Sequence, residues 1–381
     1  MRRVPLVDGS LKLTDQAAFW LFCALAVACA GVMLGGQAQF FSTQPGPWFL
    51  SLLLLAVVAI PVGVIVYRLD DFEPEPASLI AVAVIWGGVI AVVFSSQVNE
   101  GMLSFLQHVL PARTVDKWWS SLAAPINEEL YKGMGLVVIY LMARREYDNV
   151  MDGLIYGAMI GLGFQVMENV YYFMQAAGQD GSVDAVVSIF FLRVVVSGLY
   201  SHMLFTGFMG FGFAYFVTQR NRSLWRRTSV LIGGAVLAWA AHFVWNSPWL
   251  ESLMSRGTGA FIGALVIKGL PFLMLLMVLG VFARRRERAV FRRLAQLELG
   301  CDSLSQGDYY VLQSGRRRRE AVAHMRKTKG REAASILKRM MREQINLALM
   351  HSRLETCGAA ALEAQRNVIR VLKKELGSGS S

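Results

Sequence analysis

Carboxylate, imidazole and amide side chains stand in otherwise apolar stretches of this chain. Glu128, Glu129 and Lys132 occur in PINEELYKGMG, and Glu168 and Asn169 in GFQVMENVYYF. Arg193, His202 and Thr206 occur in RVVVSGLYSHMLFTGFMG, and His242 and Asn246 in WAAHFVWN. Glu128 and Lys132 are four apart, as are His202 and Thr206, and His242 and Asn246; on helices each couple shares a face. A glutamate in an apolar pocket can take a proton from water as a general base. Imidazole and carboxamide groups can hold a developing oxyanion. The set therefore suits water attack on an amide. It equally suits a zinc ion held by His202, His242 and a carboxylate, with one position left for water. The spacing is not HExxH, so such ligands come from different helices. No Ser, Cys or Thr nucleophile is arranged with a base; Ser201 adjoins His202, and neighbours on a helix do not face each other.

The elements that carry these groups are membrane spans. The 381 residues are 55% apolar and 17% charged, against about 25% charged in a soluble domain. Residues 284–381 hold 22 Lys/Arg against 10 Asp/Glu, while residues 1–283 hold 16 against 17. This excludes an ordinary soluble enzyme, a disulfide scaffold and a disordered chain. Cys23, Cys29, Cys301 and Cys357 have no metal-knuckle or disulfide spacing. A bilayer core takes about 20 apolar residues per helix. Eight runs qualify, near 16–36, 48–67, 78–98, 120–142, 152–175, 186–217, 229–248 and 259–282. The 186–217 run exceeds one span, so its first third, before Ser197-Gly198, is expected at the interface. Residues 99–119, with Phe105, Trp118 and Trp119, read as an interfacial or re-entrant segment. The expected fold is all-α: a polytopic membrane domain over 1–283, about eight transmembrane helices, and a basic helical cytosolic tail over 284–376. Gly377–Ser381 (GSGSS) reads as an appended cloning scar.

Loop charges orient the spans. Arg2, Arg3, Lys12, Arg68, Arg144, Arg145, Arg220, Arg222, Arg226, Arg227 and Arg284–Arg286 flank one side, against Arg113, Lys117 and Arg256 on the other. The positive-inside rule puts both termini in the cytoplasm and favours a bacterial inner membrane. At 1.5 Å rise per residue, Glu128 and Glu168 then lie about 10 Å below the outer ends of their spans. His242 lies about 9 Å from that surface and His202 about a turn or two inside it. Ionisable residues inside spans are costly and mark function, and here four helices bring them to one level. Lys268, alone in the last span, reads as lining a cavity or pairing with a buried acid. Gly133, Gly135, Gly157, Gly161, Gly163, Gly207, Gly210 and Gly212 surround the motifs and permit close helix approach.

In the tail, residues 284–299 read as a basic continuation of the last span. Gly300–Gly315 reads as a loop with an extended piece at Tyr309–Leu312. Residues 332–357 and 359–376 read as amphipathic helices. Its charge fits an anionic inner leaflet; no nucleic-acid-reading motif is present, and no nucleic-acid partner is expected.

EELYK, FQVMEN, HMLFTGFMG and HFVWN together resemble the motifs of the PrsW family. These are bacterial intramembrane proteases within the superfamily of type II CAAX prenyl endopeptidases and bacteriocin-processing enzymes. The resemblance covers about residues 120–250. It implies peptide hydrolysis inside the bilayer, with Glu128 as water-activating base and Glu129 and Lys132 beside it. It implies that Glu168, where the CAAX enzymes have a His, polarises the water, that His242 and Asn246 hold the oxyanion, and that His202 supports the site. Asn169, Arg193 and Thr206 stand around this set. The Glu168-for-His departure leaves a metal alternative open, zinc on His202, His242 and Glu168. The implied substrate is a single-span membrane protein of the anti-sigma-factor kind, cut near the outer leaflet. Two other classes use similar residues: a catalytically silent scaffold for partner helices and, less well supported, a proton-coupled transporter.

Overall fold

A computed structural model describes residues 13–69, 72, 75–144, 147–178, 181–196, 198, 200–351 and 354–378. Arg2, Arg3, Lys12, Arg145, Ser197 and Gly379–Ser381 lie outside the described residues. Among the described residues there are helices and no strand, only an isolated bridge between Leu299 and Leu304. Among the described residues, seven stretches are long and apolar enough to cross a membrane: Ala17–Thr43, Pro45–Tyr67, Ala77–Val109, Val150–Ala177, Val183–Thr218, Leu224–Met254 and Thr258–Glu298. The run near 120–142 forms α6, Ala124–Met142, of 19 residues. Glu128, Glu129 and Lys132 make it too charged to count by composition, although 19 residues rise about 28 Å.

The described residues divide into two compact units, 13–69 with those of 75–283 on one hand, and those of 284–378 with Phe72 on the other. The first contains α1 (Ala17–Thr43), α2 (Pro45–Tyr67), α3 (Ala77–Ile85) and α4 (Val92–Val109). It continues with α5 (Ala112–Trp118), α6, α7 (Val150–Ala177), α8 (Val183–Phe190), α9 (Ser201–Thr218), α10 (Leu224–Trp245), α11 (Pro248–Met254) and the apolar part of α12 (Thr258–Ala295). Three π-helical turns, Trp86–Ala91, Trp119–Ala123 and Phe191–Val196, join α3 to α4, α5 to α6 and follow α8. The segment 99–119 is thus largely helical, in α4 and α5. The long 186–217 run breaks at Gly198 (φ 92°), and α9 starts at Ser201.

Packing in this unit is organised around α7, whose span is 89% buried, against 6% for the last span. Val27, Leu34, Leu53, Ile60 and Val278 on α1, α2 and α12 are exposed, a surface that suits lipid rather than water. Without a hydrophobic drive between helices, close packing needs small residues. Gly153, Gly157 and Gly161 repeat every four residues along α7. A Cβ there would run into the carbonyl oxygens of Gly210, Thr206 and His202 on α9. Gly87 and Gly88 meet the carbonyls of Ile160 and Gly163 on the other side of α7 in the same way.

The second unit contains the end of α12, α13 (Gln306–Leu312), α14 (Gly315–Met350, kinked at Gly330) and α15 (Leu354–Ser378, kinked at Gly358). Tyr309–Leu312 is helical, not extended as expected. Ser305 and Asp308 form a reciprocal capping box that starts α13, and this cap outweighs the local β-propensity. Phe291, Ala295, Leu304, Leu312, Met341 and Ile345 form one core, and Met340, Leu347, Leu362, Ile369 and Leu372 a second. Beside them Glu298, almost fully buried, accepts hydrogen bonds from Arg366 (2.7 and 3.0 Å), His351 (2.6 Å) and Ser303 (3.0 Å). Burial raises the Glu298 pKa, but the bonds from Arg366, His351 and Ser303 outweigh it and hold the carboxyl below its ordinary value.

Two outcomes follow from this packing. Overpacking costs about 1–3 kcal/mol, so Gly157→Leu should lower the thermal midpoint in detergent, whereas Gly101→Leu, with open space at its Cβ, should leave it unchanged. Because the Glu298 pKa is lower folded than unfolded, its stabilisation is complete above about pH 4.3 and is lost as pH falls through the folded value. Protection factors over residues 340–351 and 358–372, taken against the intrinsic exchange rate at each pH, should therefore fall in acid. Glu298→Gln should raise exchange at pH 7 and flatten that acid dependence.

Candidate active site

Lys132 has no exposed surface, and the nest forms around it. Pro125 sits in the first turn of α6, where its missing N–H costs nothing. The next turn then delivers Glu128, Glu129 and Lys132 inward while Ile126 and Leu130 stay exposed. The Lys132 ammonium lies 2.6 Å from Glu129 Oε1, 2.8 Å from His202 Nδ1 and 3.7 Å from Glu128 Oε2. It also stands 4.1 Å from the Phe164 ring centroid, a further stabilising contact for a desolvated cation.

The remaining partners close the ring. Glu129 Oε1 lies 3.0 Å from His242 Nδ1, and Glu129 Oε2 accepts from the Thr206 hydroxyl at 3.2 Å. His202 Nε2 lies 3.1 Å from Glu168 Oε2. Arg193 reaches Glu168 Oε2 at 3.3 Å and Asn169 Oδ1 at 3.0 Å, with its guanidinium 3.6 Å from the Tyr172 ring centroid. Phe205 stacks on His242 at 4.6 Å. Glu128, Glu129, Lys132, Glu168, Asn169, Arg193, His202, Thr206 and His242 are thus brought together from α6, α7, α9, α10 and the Phe191–Val196 turn. Asn246 is not: it caps α10, and its amide donates to the Ser120 carbonyl at 2.9 Å. Lys268 makes no hydrogen bond to the nest.

Proton positions follow from the donors. An ammonium can only donate, so His202 Nδ1 accepts from Lys132 and its Nε2–H donates to Glu168. A carboxylate accepts, so His242 Nδ1–H donates to Glu129. Among the described residues, His242 Nε2 makes no hydrogen bond and lies 3.8 Å from Glu128 Oε2; in the neutral ring it is an acceptor. Glu128 Oε2 is itself buried and without a hydrogen-bond partner. Two buried atoms without hydrogen bonds thus lie side by side. With all three carboxylates ionised and both histidines neutral, the nest has two cations, Lys132 and Arg193, against three anions, a formal charge of −1 among the described residues.

This donor set fits a divalent cation. One oxygen of Glu128 and one ring nitrogen each of His202 and His242 lie within 4.8 Å of one another. The carboxylate in that trio is Glu128, not the Glu168 expected from the sequence; Glu168 is spent on His202 and Arg193. His242 has the usual outer-shell arrangement of a metal ligand, its other ring nitrogen donating to a carboxylate. His202 has both nitrogens engaged, so its ligation requires one of those bonds to be exchanged.

Sequence reasoning missed Gln165, Phe164, Tyr172 and Phe205. Gln165 and Tyr172 lie one helical turn on either side of Glu168 and Asn169, so the face of α7 was readable. The aromatic contacts carry no spacing signal.

The sequence matches the family described as PrsW family intramembrane metalloprotease over residues 75–282, just over half the chain and the whole of the nest. "Protease PrsW" of Geobacillus kaustophilus (strain HTA426) is 29% identical over 165 residues, 42% of this chain and 64% of that protein. "Protease PrsW" of Bacillus subtilis (strain 168) is 26% identical over 171 residues, 44% of this chain and 69% of that protein. The chain thus spans slightly under two thirds of the length of the Geobacillus relative. No solved structure matches.

Removing one partner of a buried ion pair costs about 3–5 kcal/mol, whereas replacing both by apolar or neutral groups can be nearly neutral. Lys132→Met should therefore lower the thermal midpoint in detergent more than the double variant Lys132→Met/Glu129→Gln does. Strictly additive losses would contradict the pairing.

Proposed function

This chain belongs to the PrsW family of intramembrane metalloproteases, and from that premise we propose that it is an endopeptidase cutting a single-span membrane protein within the bilayer. The observation that carries the reading is the approach of Glu128 Oε2 and His242 Nε2, two buried atoms without hydrogen bonds, to 3.8 Å. With the His242 ring neutral, a water bonded to both would find an acceptor for each of its protons. Glu128 takes one proton as the water oxygen attacks the scissile carbonyl carbon, and returns it to the amide nitrogen as the C–N bond breaks. His242 orients that water and is itself held by Glu129. Glu129 stays in place because Lys132 and Thr206 bind its two oxygens. Glu168, itself held by Arg193, fixes His202 through its Nε2–H, so His202 supports the site and would reach an oxyanion only by exchanging that bond. Asn246 spends one N–H on Ser120 and keeps a second, so it contributes to oxyanion binding only after a local shift. A divalent metal on Glu128, His242 and His202 would supply Lewis-acid polarisation of water and carbonyl.

The loop charges support a cytoplasmic location for both termini and a bacterial inner membrane. That orientation puts the nest at the depth of the outer leaflet, which suits a substrate of the anti-sigma-factor kind, anchored by one span and cut near the outer surface. The tail, at 22 Lys/Arg against 10 Asp/Glu, suits an anionic inner leaflet, worth about 1 kcal/mol per basic side chain near the surface.

The test is cleavage of single-span substrates in liposomes, with and without a zinc chelator. Removing a general base typically costs about 10²–10⁴-fold. Glu128→Gln and His242→Ala should each lose turnover on that scale while remaining inserted and folded. Chelator-sensitive cleavage restored by zinc would assign the metal mechanism. Chelator-resistant cleavage still lost in Glu128→Gln would assign direct activation by glutamate. Full activity in both variants would sink the assignment.

A further inference from the structure

The FQVMEN segment holds a buried polar residue outside the nest that the proposed chemistry does not use, Gln165. Its surroundings are specific. The chain enters α9 through Gly198 in a left-handed conformation, and Tyr200, at the N-cap position, offers no side-chain cap. The first amides of a helix have no partners of their own, and away from water an unpaired amide is costly. The missing acceptor comes from another helix. Gln165 Oε1 on α7 accepts the His202 backbone N–H at 3.2 Å, and Gln165 Nε2 donates to Ser201 Oγ at 2.9 Å. The orientation of the carboxamide is fixed, because a backbone N–H can only donate. Gln165, Ser201 and His202 are all buried.

One turn away on the same face of α7, Gly161 lets the His202 carbonyl approach so closely that no Cβ fits between them. In the other direction on that face, Glu168 meets His202 Nε2. Gly161, Gln165 and Glu168 therefore grip the carbonyl, the amide and the ring of one residue. The ring has little freedom to bring Nε2 to Glu168 and Nδ1 to Lys132 unless its backbone is held.

We propose that Gln165 is a positioning residue that caps α9 from a neighbouring helix and thereby sets the His202 imidazole in the peptidase site. The proposal rests on the peptidase reading for its kinetic consequence but not for its structural one. Gln165→Met keeps the length and removes both polar contacts. Gln165→Glu keeps an acceptor for the amide, and Ser201 can turn its hydroxyl to donate.

In nanodiscs, hydrogen exchange of the peptide containing His202 should be at least about tenfold faster in Gln165→Met, while a peptide over 211–215 at the middle of α9 should not change. With a cleavable substrate, Gln165→Met should lose about 10–100-fold in kcat with KM within about twofold, and Gln165→Glu should recover most of it. Ser201→Ala, which spares the bond to the amide, should stay within about threefold of the parent chain. Unchanged exchange at His202 in Gln165→Met would overturn the proposal, whether or not any substrate is cut. Equal kcat loss in Gln165→Met and Gln165→Glu, or faster exchange along all of α9, would overturn it as well, since either outcome indicates general loosening. Should Gln165→Met fail to insert, Gln165→Glu and Ser201→Ala carry the exchange comparison. Absence of cleavage by the parent chain, with the exchange result intact, would count against the peptidase reading alone.

Discussion

The Lys132 ammonium stands at the centre of the site with no exposed surface, so its charge is tolerated only through the groups that surround it. A cation in such a place requires a close anion and satisfied donors, and this requirement fixes what those groups can do. Glu129 is held within 2.6 Å, so it is an anchor rather than a base. His202 must present Nδ1 as an acceptor, so its other nitrogen carries the proton and faces Glu168. With Glu129 engaged, His242 is oriented by its Nδ1–H, and its Nε2 is left bare. Glu128, 3.7 Å from the ammonium and without a hydrogen bond on Oε2, is the carboxylate to which the proposed mechanism gives the water.

This arrangement depends on backbone proximity that only small residues permit. Gly153, Gly157 and Gly161 let α7 and α9 touch backbone to backbone, which brings His202 and Thr206 within reach of Glu168 and Glu129. In a bilayer such contact replaces the hydrophobic drive that packs soluble helices. The same logic explains why α6, which bears three charges, is sheltered on its charged side while Ile126, Leu130 and Met134 remain exposed.

Much of this was legible in the sequence, for reasons that differ by residue. Charged groups inside apolar runs are rare enough to stand out, so Glu128, Glu129, Lys132, Glu168, His202 and His242 could be read directly. Helical spacing put Glu128 with Lys132 and His202 with Thr206. Spacing failed at Asn246, because α10 ends there and the residue turns to Ser120. The residues alone left the metal-compatible carboxylate open and the resemblance pointed to Glu168; the trio that lies together contains Glu128, because which of three glutamates is already spent depends on contacts between helices. Gln165 was passed over because a lone amide carries no charge signal, and its partner is a backbone group 37 positions away. In the tail, the β-prone Tyr309–Leu312 was read as extended; the cap from Ser305, three residues before Asp308, was the signal that should have outweighed it.

The most direct measurement is turnover of a single-span substrate by Lys132→Met, reconstituted at the same density as the parent chain and checked for insertion. Losing the ammonium frees Glu129 and unsettles both histidines, so turnover should fall at least about 100-fold although Lys132 need not touch the scissile bond. Turnover equal to that of the parent chain would contradict the view that this cation orders the catalytic groups.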